Sequence, residues 1–169
     1  MQTIPKINQY SVYAVCLIPL ALLTGPFLPD LIVSLLSLVF IYILTITRDT
    51  KYICNYFSYF FFSFCIYLIF NSLISDYLIF SLKSSLFYFR FGLFSLFIWY
   101  LIDNDKEFLN KFTLFLIIAF FIAIVSGVYQ YIYSETIFGN KPQDNRLLLL
   151  FSDNEALGQW LSRLFPLLV

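Results

Sequence analysis

"SLKSSLFYFRFGLF", residues 81–94, has the apolar content of a membrane span yet carries two cations, Lys83 and Arg90, seven positions apart. Phe87, Phe89, Phe91 and Phe94 suit lipid. A charged side chain at the centre of a spanning helix costs about 2.5–3.5 kcal/mol on insertion scales, so such a cation is expected to face protein or water. The reading of this stretch therefore fixes both the class of fold and where to look for chemistry.

The flanking sequence settles the class. The chain of 169 residues is 61% hydrophobic and 12% charged, with a mean hydropathy of +0.85, too little polar surface for a soluble domain. Five apolar runs approach the roughly 20 residues a spanning helix needs. They extend from Ile7 to Thr24, Leu28 to Thr47, Ile53 to Ile74, Leu78 to Ile102 and Phe108 to Tyr133. A sixth opens near Glu155 and is still apolar at Val169, without a polar cap or basic anchor. The expected fold is an all-α polytopic membrane protein with about five complete transmembrane helices plus the start of a sixth. Residues 1–169 form a single transmembrane domain in this reading, the N-terminal piece of a longer chain.

Composition also narrows function. Ten basic residues balance ten acidic ones, leaving no basic face for nucleic acid. Histidine is absent, which removes imidazole metal sites, and no metal or cofactor is expected. Cys16, Cys54 and Cys65 lie in apolar runs at a spacing that fits neither a disulfide framework nor a metal knuckle, and read as small hydrophobes. The 22 Phe and 13 Tyr are spread along the whole chain beside Ile and Asn, the mark of a coding bias rather than of an aromatic ligand box. P-loop, G-x-S-x-G and H-E-x-x-H patterns are missing, so soluble-type hydrolase or nucleotide chemistry finds no support.

Charges in the connections suggest an orientation. Lys6 precedes the first run, Arg48 and Lys51 follow the second, and Lys106 and Lys111 follow the fourth; "GPFLPD" and "NSLISDY", after the first and third, carry no basic residue. The positive-inside rule then places the N-terminus in the cytoplasm, with Lys141 and Arg146 in the fifth connection counting against the pattern. The first run lacks a small-x-small cleavage site and reads as an anchor rather than a signal peptide. Pro26 and Pro29 bracket the first outer turn, and the long connection from Ser134 to Asn154, with "FGNKPQDN" inside it, is expected outside the cytoplasm.

On that topology Lys83 lies near the outer interface, Arg90 below it on the same helical stripe, and Arg163 a comparable distance into the sixth helix. Two readings stand side by side. The cations pair internally with Asp76, Asp153 or Glu155, or snorkel to the surface, as Lys83 is well placed to do. Alternatively they form an outward-facing pocket for an anionic head group, for which planar guanidinium forks suit phosphate oxygens. Weaker features are Gly127, a close-approach position; Tyr129, Tyr131 and Tyr133, an interfacial belt; and Gln130, an interfacial amide that could touch a sugar.

Four stretches carry a resemblance. "GPFLPDL" after the first run, "SLKSSLFYFRFGLF" in the fourth, "SGVYQYI" closing the fifth and "NRLLLLFSDNEALGQWLSRLFPLL" leading into the sixth are together similar to the N-terminal half of the O-antigen ligase and O-antigen polymerase family. In the last stretch Arg146, Leu147, Phe151, Asp153, Gly158, Leu161, Ser162, Arg163 and Pro166 match the family pattern. Leu149 and Ser152 stand where the family usually has glycine, and Asn154 where an acid is common.

The resemblance implies a multi-pass glycosyltransferase of the bacterial inner membrane. It would move an O-antigen-like surface glycan from an undecaprenyl-pyrophosphate carrier, on the periplasmic side, to lipid A core or to a second carrier-linked glycan. The implied chemistry is inversion at a sugar carbon with pyrophosphate leaving, its charge stabilised by Arg90, Arg146 and Arg163, with Lys83 a further pyrophosphate-binding candidate. The family's periplasmic loop with its functional histidine belongs to the second half, so this segment is not expected to catalyse alone. Competing readings are a fragment of a polysaccharide or lipid transporter or flippase, and a small non-catalytic membrane subunit.

Overall fold

The computed structural model describes residues 3–136, 148 and 157–168. All regular structure among them is helical, and four stretches, Phe27–Thr47, Tyr56–Leu73, Leu78–Asn104 and Phe108–Tyr133, are long and apolar enough to cross a membrane. The protein is thus a multi-pass helical membrane protein. The first and last apolar runs form shorter helices, for reasons that are local.

The first run folds as α1 (Thr3–Cys16) and α2 (Ile18–Leu22), divided at Leu17. Pro19 lies at the start of α2; it has no N–H for the carbonyl four residues back, and its ring crowds that carbonyl, so the helix breaks just before it. The chain then turns at Gly25, whose φ of 123° is open to glycine and strained for other residues. Helix α3 (Phe27–Thr47) follows, with Pro29 in its first turn, where no intrahelical N–H is lost.

Helix α4 (Tyr56–Leu73) is capped by Asn55, whose Oδ1 accepts the Ser58 N–H at 2.9 Å while its Nδ2 donates to the Tyr52 carbonyl at 2.6 Å. The fourth run divides into α5 (Leu78–Leu86) and α6 (Phe89–Asn104). Helix α7 (Phe108–Tyr133) is unbroken over 26 residues and ends on Ser134, a left-handed residue at φ 57°. The sixth run gives the short α8 (Leu157–Leu164), then a 3₁₀ turn at Phe165–Leu167 that holds Pro166. This proline lies where an α-helix would need its N–H, and α8 stops ahead of it.

The chain forms two compact units, residues 1–32 with 106–169, and residues 33–105. In the first, α7 packs against α1, α2 and α8. Its buried face is Leu116, Ala119, Phe120, Ala123, Ser126, Gly127 and Gln130, where small side chains recur every three or four residues. Apolar side chains gain little by leaving lipid for protein, so such faces hold through close backbone approach and interhelical hydrogen bonds. Leu23, Leu157 and Trp160 fill the space beside Ala119 and Ala123. Trp160 meets Phe120 with ring centroids 5.1 Å apart.

The second unit is built around Phe40, Ile43, Phe97 and Leu101, all sealed from solvent. Phe40 meets Phe97 at 5.4 Å and Tyr100 at 6.2 Å between ring centroids. Helix α4 packs on α5 and α6 through a row of small residues, Ser58, Cys65 and Ser72, seven positions apart, and leaves most of its aromatic side chains exposed. Ser72 Oγ and Ser85 Oγ lie 2.9 Å apart at the α4–α5 contact. Gly92 on α6 faces the ring of Phe61, which occupies the space a Cβ would need.

Candidate functional site

Arg90 lies in the first turn of α6, immediately after the interruption of the fourth run at Phe87 and Tyr88. Around that break the ladder tightens: Tyr88 N–H donates to Ser85 O at 3.2 Å, Arg90 N–H to Phe87 O at 3.4 Å and Phe91 N–H to Tyr88 O at 3.2 Å. Glycine and proline are absent from the segment. The aromatic rings of α4 hold it instead: Tyr88 stacks on Phe61 at 6.1 Å and meets Phe64 edge-on at 6.2 Å, and Phe91 adds a third ring at 5.5 Å.

The Arg90 side chain is half-buried. Its Nη1 donates to Ser34 Oγ at 3.0 Å, and the guanidinium carbon stands 5.0 Å from the centroid of the Phe91 ring, within range of a cation–π attraction. Ser37, one turn further along α3, donates through Oγ to the Arg90 carbonyl at 2.9 Å and to the Val33 carbonyl at 2.8 Å. Two hydroxyls of one helix thus hold the main chain and the head group of this arginine. Neither serine was singled out in the sequence, although Ser34 and Ser37, three positions apart in an otherwise apolar run, were the available signal.

Lys83 is exposed in the last turn of α5. The interruption at Phe87 and Tyr88 falls between it and Arg90, which is half-buried. Arg163 belongs to the other unit, on α8. That helix turns Leu157 and Trp160 inward and leaves Gly158, Gln159, Ser162 and Arg163 exposed. Its inward face packs with Leu116, Ala119, Phe120 and Ala123. Ala123 is ten residues before Tyr133, about 15 Å along the axis, so α8 runs beside the middle of α7 rather than its end. Arg146, with Asp153 and Glu155, lies outside the described residues.

Gln130 is not an interfacial amide reaching outward. It is 3% exposed, with every polar contact directed into the protein: Oε1 accepts the Leu148 N–H at 2.8 Å, and Nε2 donates to the Leu148 carbonyl at 3.0 Å and to Ser126 Oγ at 3.2 Å. Tyr131 and Tyr133 beside it are exposed.

Away from these arginines, Lys51 Nζ pairs with Asp103 Oδ2 at 2.8 Å, and Tyr52 Oη donates to the same oxygen at 3.2 Å. The ammonium also stands 5.1 Å from the Tyr52 ring centroid and 5.8 Å from that of Trp99. Among the described residues no group of cysteine and carboxylate side chains is arranged to hold a metal ion. Compared with known protein families, curated proteins and solved structures, the chain matches none.

Proposed function

We propose that this chain binds the donor in a membrane glycosyltransferase that moves an O-antigen-like glycan from an undecaprenyl-pyrophosphate carrier. The observation that carries the reading is Arg90: a guanidinium half-buried within a membrane-length segment, at the first turn of a helix that restarts there. A fixed planar cation at that depth suits a diphosphate whose lipid tail remains in the bilayer.

Helix α8 supports the reading from its own unit. A polar face bearing Gln159, Ser162 and Arg163 beside the middle of a spanning helix is costly against lipid and is accommodated where it borders water or protein. In this proposal the sixth run enters the membrane as a short amphipathic helix and the bordering recess is wet. The N-terminus is cytoplasmic, the membrane is the bacterial inner membrane, and the arginines serve the periplasmic side. Arg90 stabilises charge on the leaving pyrophosphate, and Lys83, Arg146 and Arg163 are separate further candidates for pyrophosphate binding; the acceptor is lipid A core or another carrier-linked glycan.

The test uses the full-length protein in cells lacking it. Arg90→Ala abolishes or cuts surface glycan at least tenfold while the membrane level of the protein stays normal, and Arg90→Lys recovers part of it. Full activity in both variants would sink the proposal for this residue.

The interruption at Phe87 and Tyr88 favours a second reading, a flippase or transporter, since broken helices recur around transport sites. The two readings differ in product. A transferase in vesicles forms a new glycosidic bond and releases undecaprenyl pyrophosphate; a flippase changes the leaflet of an intact donor.

A further inference from the structure

In the second unit the ammonium of Lys51 is held as a ligand would be. Nζ lies 2.8 Å from Asp103 Oδ2, 5.1 Å from the centroid of the Tyr52 ring and 5.8 Å from that of Trp99, so one carboxylate and two aromatic rings receive an alkylammonium. Such rings attract cations through their quadrupole, and the carboxylate accepts a charge-assisted hydrogen bond. The Lys51 side chain is nonetheless 59% exposed. An ion pair that open to water gains little from holding a long side chain still, so this occupant leaves readily.

The rest of the site is fixed by bonds of its own. Tyr52 is buried, its ring meets Trp99 and Tyr100 edge-on at 5.3 Å each, and its hydroxyl donates to Asp103 Oδ2 at 3.2 Å. The Tyr52 carbonyl accepts from Asn55 Nδ2 at 2.6 Å and from Ser58 Oγ at 3.3 Å, and the Lys51 main-chain N–H donates to Asp49 Oδ1 at 3.0 Å. Asp103 belongs to the last turn of the membrane-length stretch Leu78–Asn104, while Lys51 and Tyr52 lie in the connection between α3 and α4. The ends of spanning helices stand at the level of lipid head groups, where tyrosine and tryptophan gather.

We propose that Asp103, Tyr52 and Trp99 form a binding site for the primary ammonium of an ethanolamine phospholipid, and that Lys51 fills the site until the lipid arrives. The lipid ammonium then pairs with Asp103, and Lys51, on its flexible four-carbon stem, moves to the phosphate of the same head group. No charge is left unpaired by the exchange. Specificity follows from the hydrogen bond to Asp103: a trimethylammonium head group has no hydrogen to donate, and a glycerol head group has no cation. The site is separate from Arg90 and owes nothing to the proposed glycan transfer.

Native mass spectrometry of the protein in detergent micelles, titrated with short-chain phosphatidylethanolamine, phosphatidylcholine or phosphatidylglycerol, tests it. The ethanolamine lipid binds about tenfold more tightly than the other two, and Asp103→Asn removes the preference. Trp99→Leu weakens the ethanolamine lipid by about threefold and leaves the glycerol lipid unchanged. Equal affinities for the three lipids in the wild type, or a preference that survives in Asp103→Asn, overturn the site. Should Asp103→Asn fail to fold, the wild-type comparison and Trp99→Leu still decide. Free ethanolamine separates the sources of the ammonium: it competes poorly with the lipid in the wild type and about tenfold better in Lys51→Met, where the resident cation is gone. Free ethanolamine that displaces the lipid from the wild type at equal concentration overturns the assignment to a head group.

Discussion

Ser37 Oγ donates to the carbonyl of Arg90 at 2.9 Å, joining the middle of α3 to the first turn of α6. Interhelical bonds of this kind in membranes are worth about 0.6 kcal/mol on average and rarely more than about 1.7. Ser37→Ala should therefore lower the stability of the detergent-purified protein by about 1 kcal/mol or less. Ser37→Leu, which must also fit two more heavy atoms into a site 3% exposed, should cost more, about 1–3 kcal/mol. Reversible unfolding in mixed micelles measures both; equal effects would mean that the site is looser than the geometry shows.

Gly92 and Phe61 give a steric prediction. The Phe61 ring fills the position of a Cβ on Gly92 and is itself confined by Phe57 at 6.1 Å and Tyr88 at 6.1 Å. Gly92→Ala should destabilise by about 1–3 kcal/mol, and the same change made on a Phe61→Leu background should cost much less. Additive effects in the double-mutant cycle would contradict the close contact.

Lys51 and Tyr52 predict an alkaline limit. Lys51 is held above its ordinary value of 10.5, chiefly by its hydrogen bond to Asp103, and Tyr52 above 10.0, chiefly by burial and then by the same carboxylate. Both protonated forms are favoured by the fold. Their contribution is fully present below about pH 10 and is lost as pH rises through the raised values. The unfolding temperature should hold steady from neutrality to about pH 9 and fall above 10, with a shallower fall in the Lys51→Met, Tyr52→Phe double variant. An identical fall in that variant would assign the loss to other groups.

Ser134 ends α7 at φ 57° and donates its N–H to Gln130 O at 2.8 Å. A non-glycine residue in this conformation carries a penalty of about 1 kcal/mol or slightly more, so Ser134→Gly should raise stability by a similar amount. A thermal melt tests it, and a lowered melting temperature would show that the serine side chain outweighs the strain.

The membrane-length helices were legible because hydropathy records them directly: α3, α4 and α7 begin and end within three residues of the apolar runs, and α7 coincides with its run from Phe108 to Tyr133. The kink at Leu17 also had a written signal in Pro19. The interruption at Phe87 and Tyr88 had none, since no local breaker is present and the rings that hold it come from α4. The site was legible in part. Arg90 stands out as a charge in an apolar run, but its serine partners sit 53 and 56 positions earlier in sequence. Gln130 looked like a surface amide because its partner, Leu148, is 18 residues away across a turn-rich connection.

The central claim is that the Arg90 guanidinium recognises a lipid diphosphate, and binding of undecaprenyl pyrophosphate to the purified full-length protein in nanodiscs tests it most directly. A charge-assisted hydrogen bond contributes about 1.5–3 kcal/mol, which corresponds to a Kd about 10- to 150-fold weaker in Arg90→Ala, with Arg90→Lys between the two. Wild-type affinity in both variants would contradict the claim.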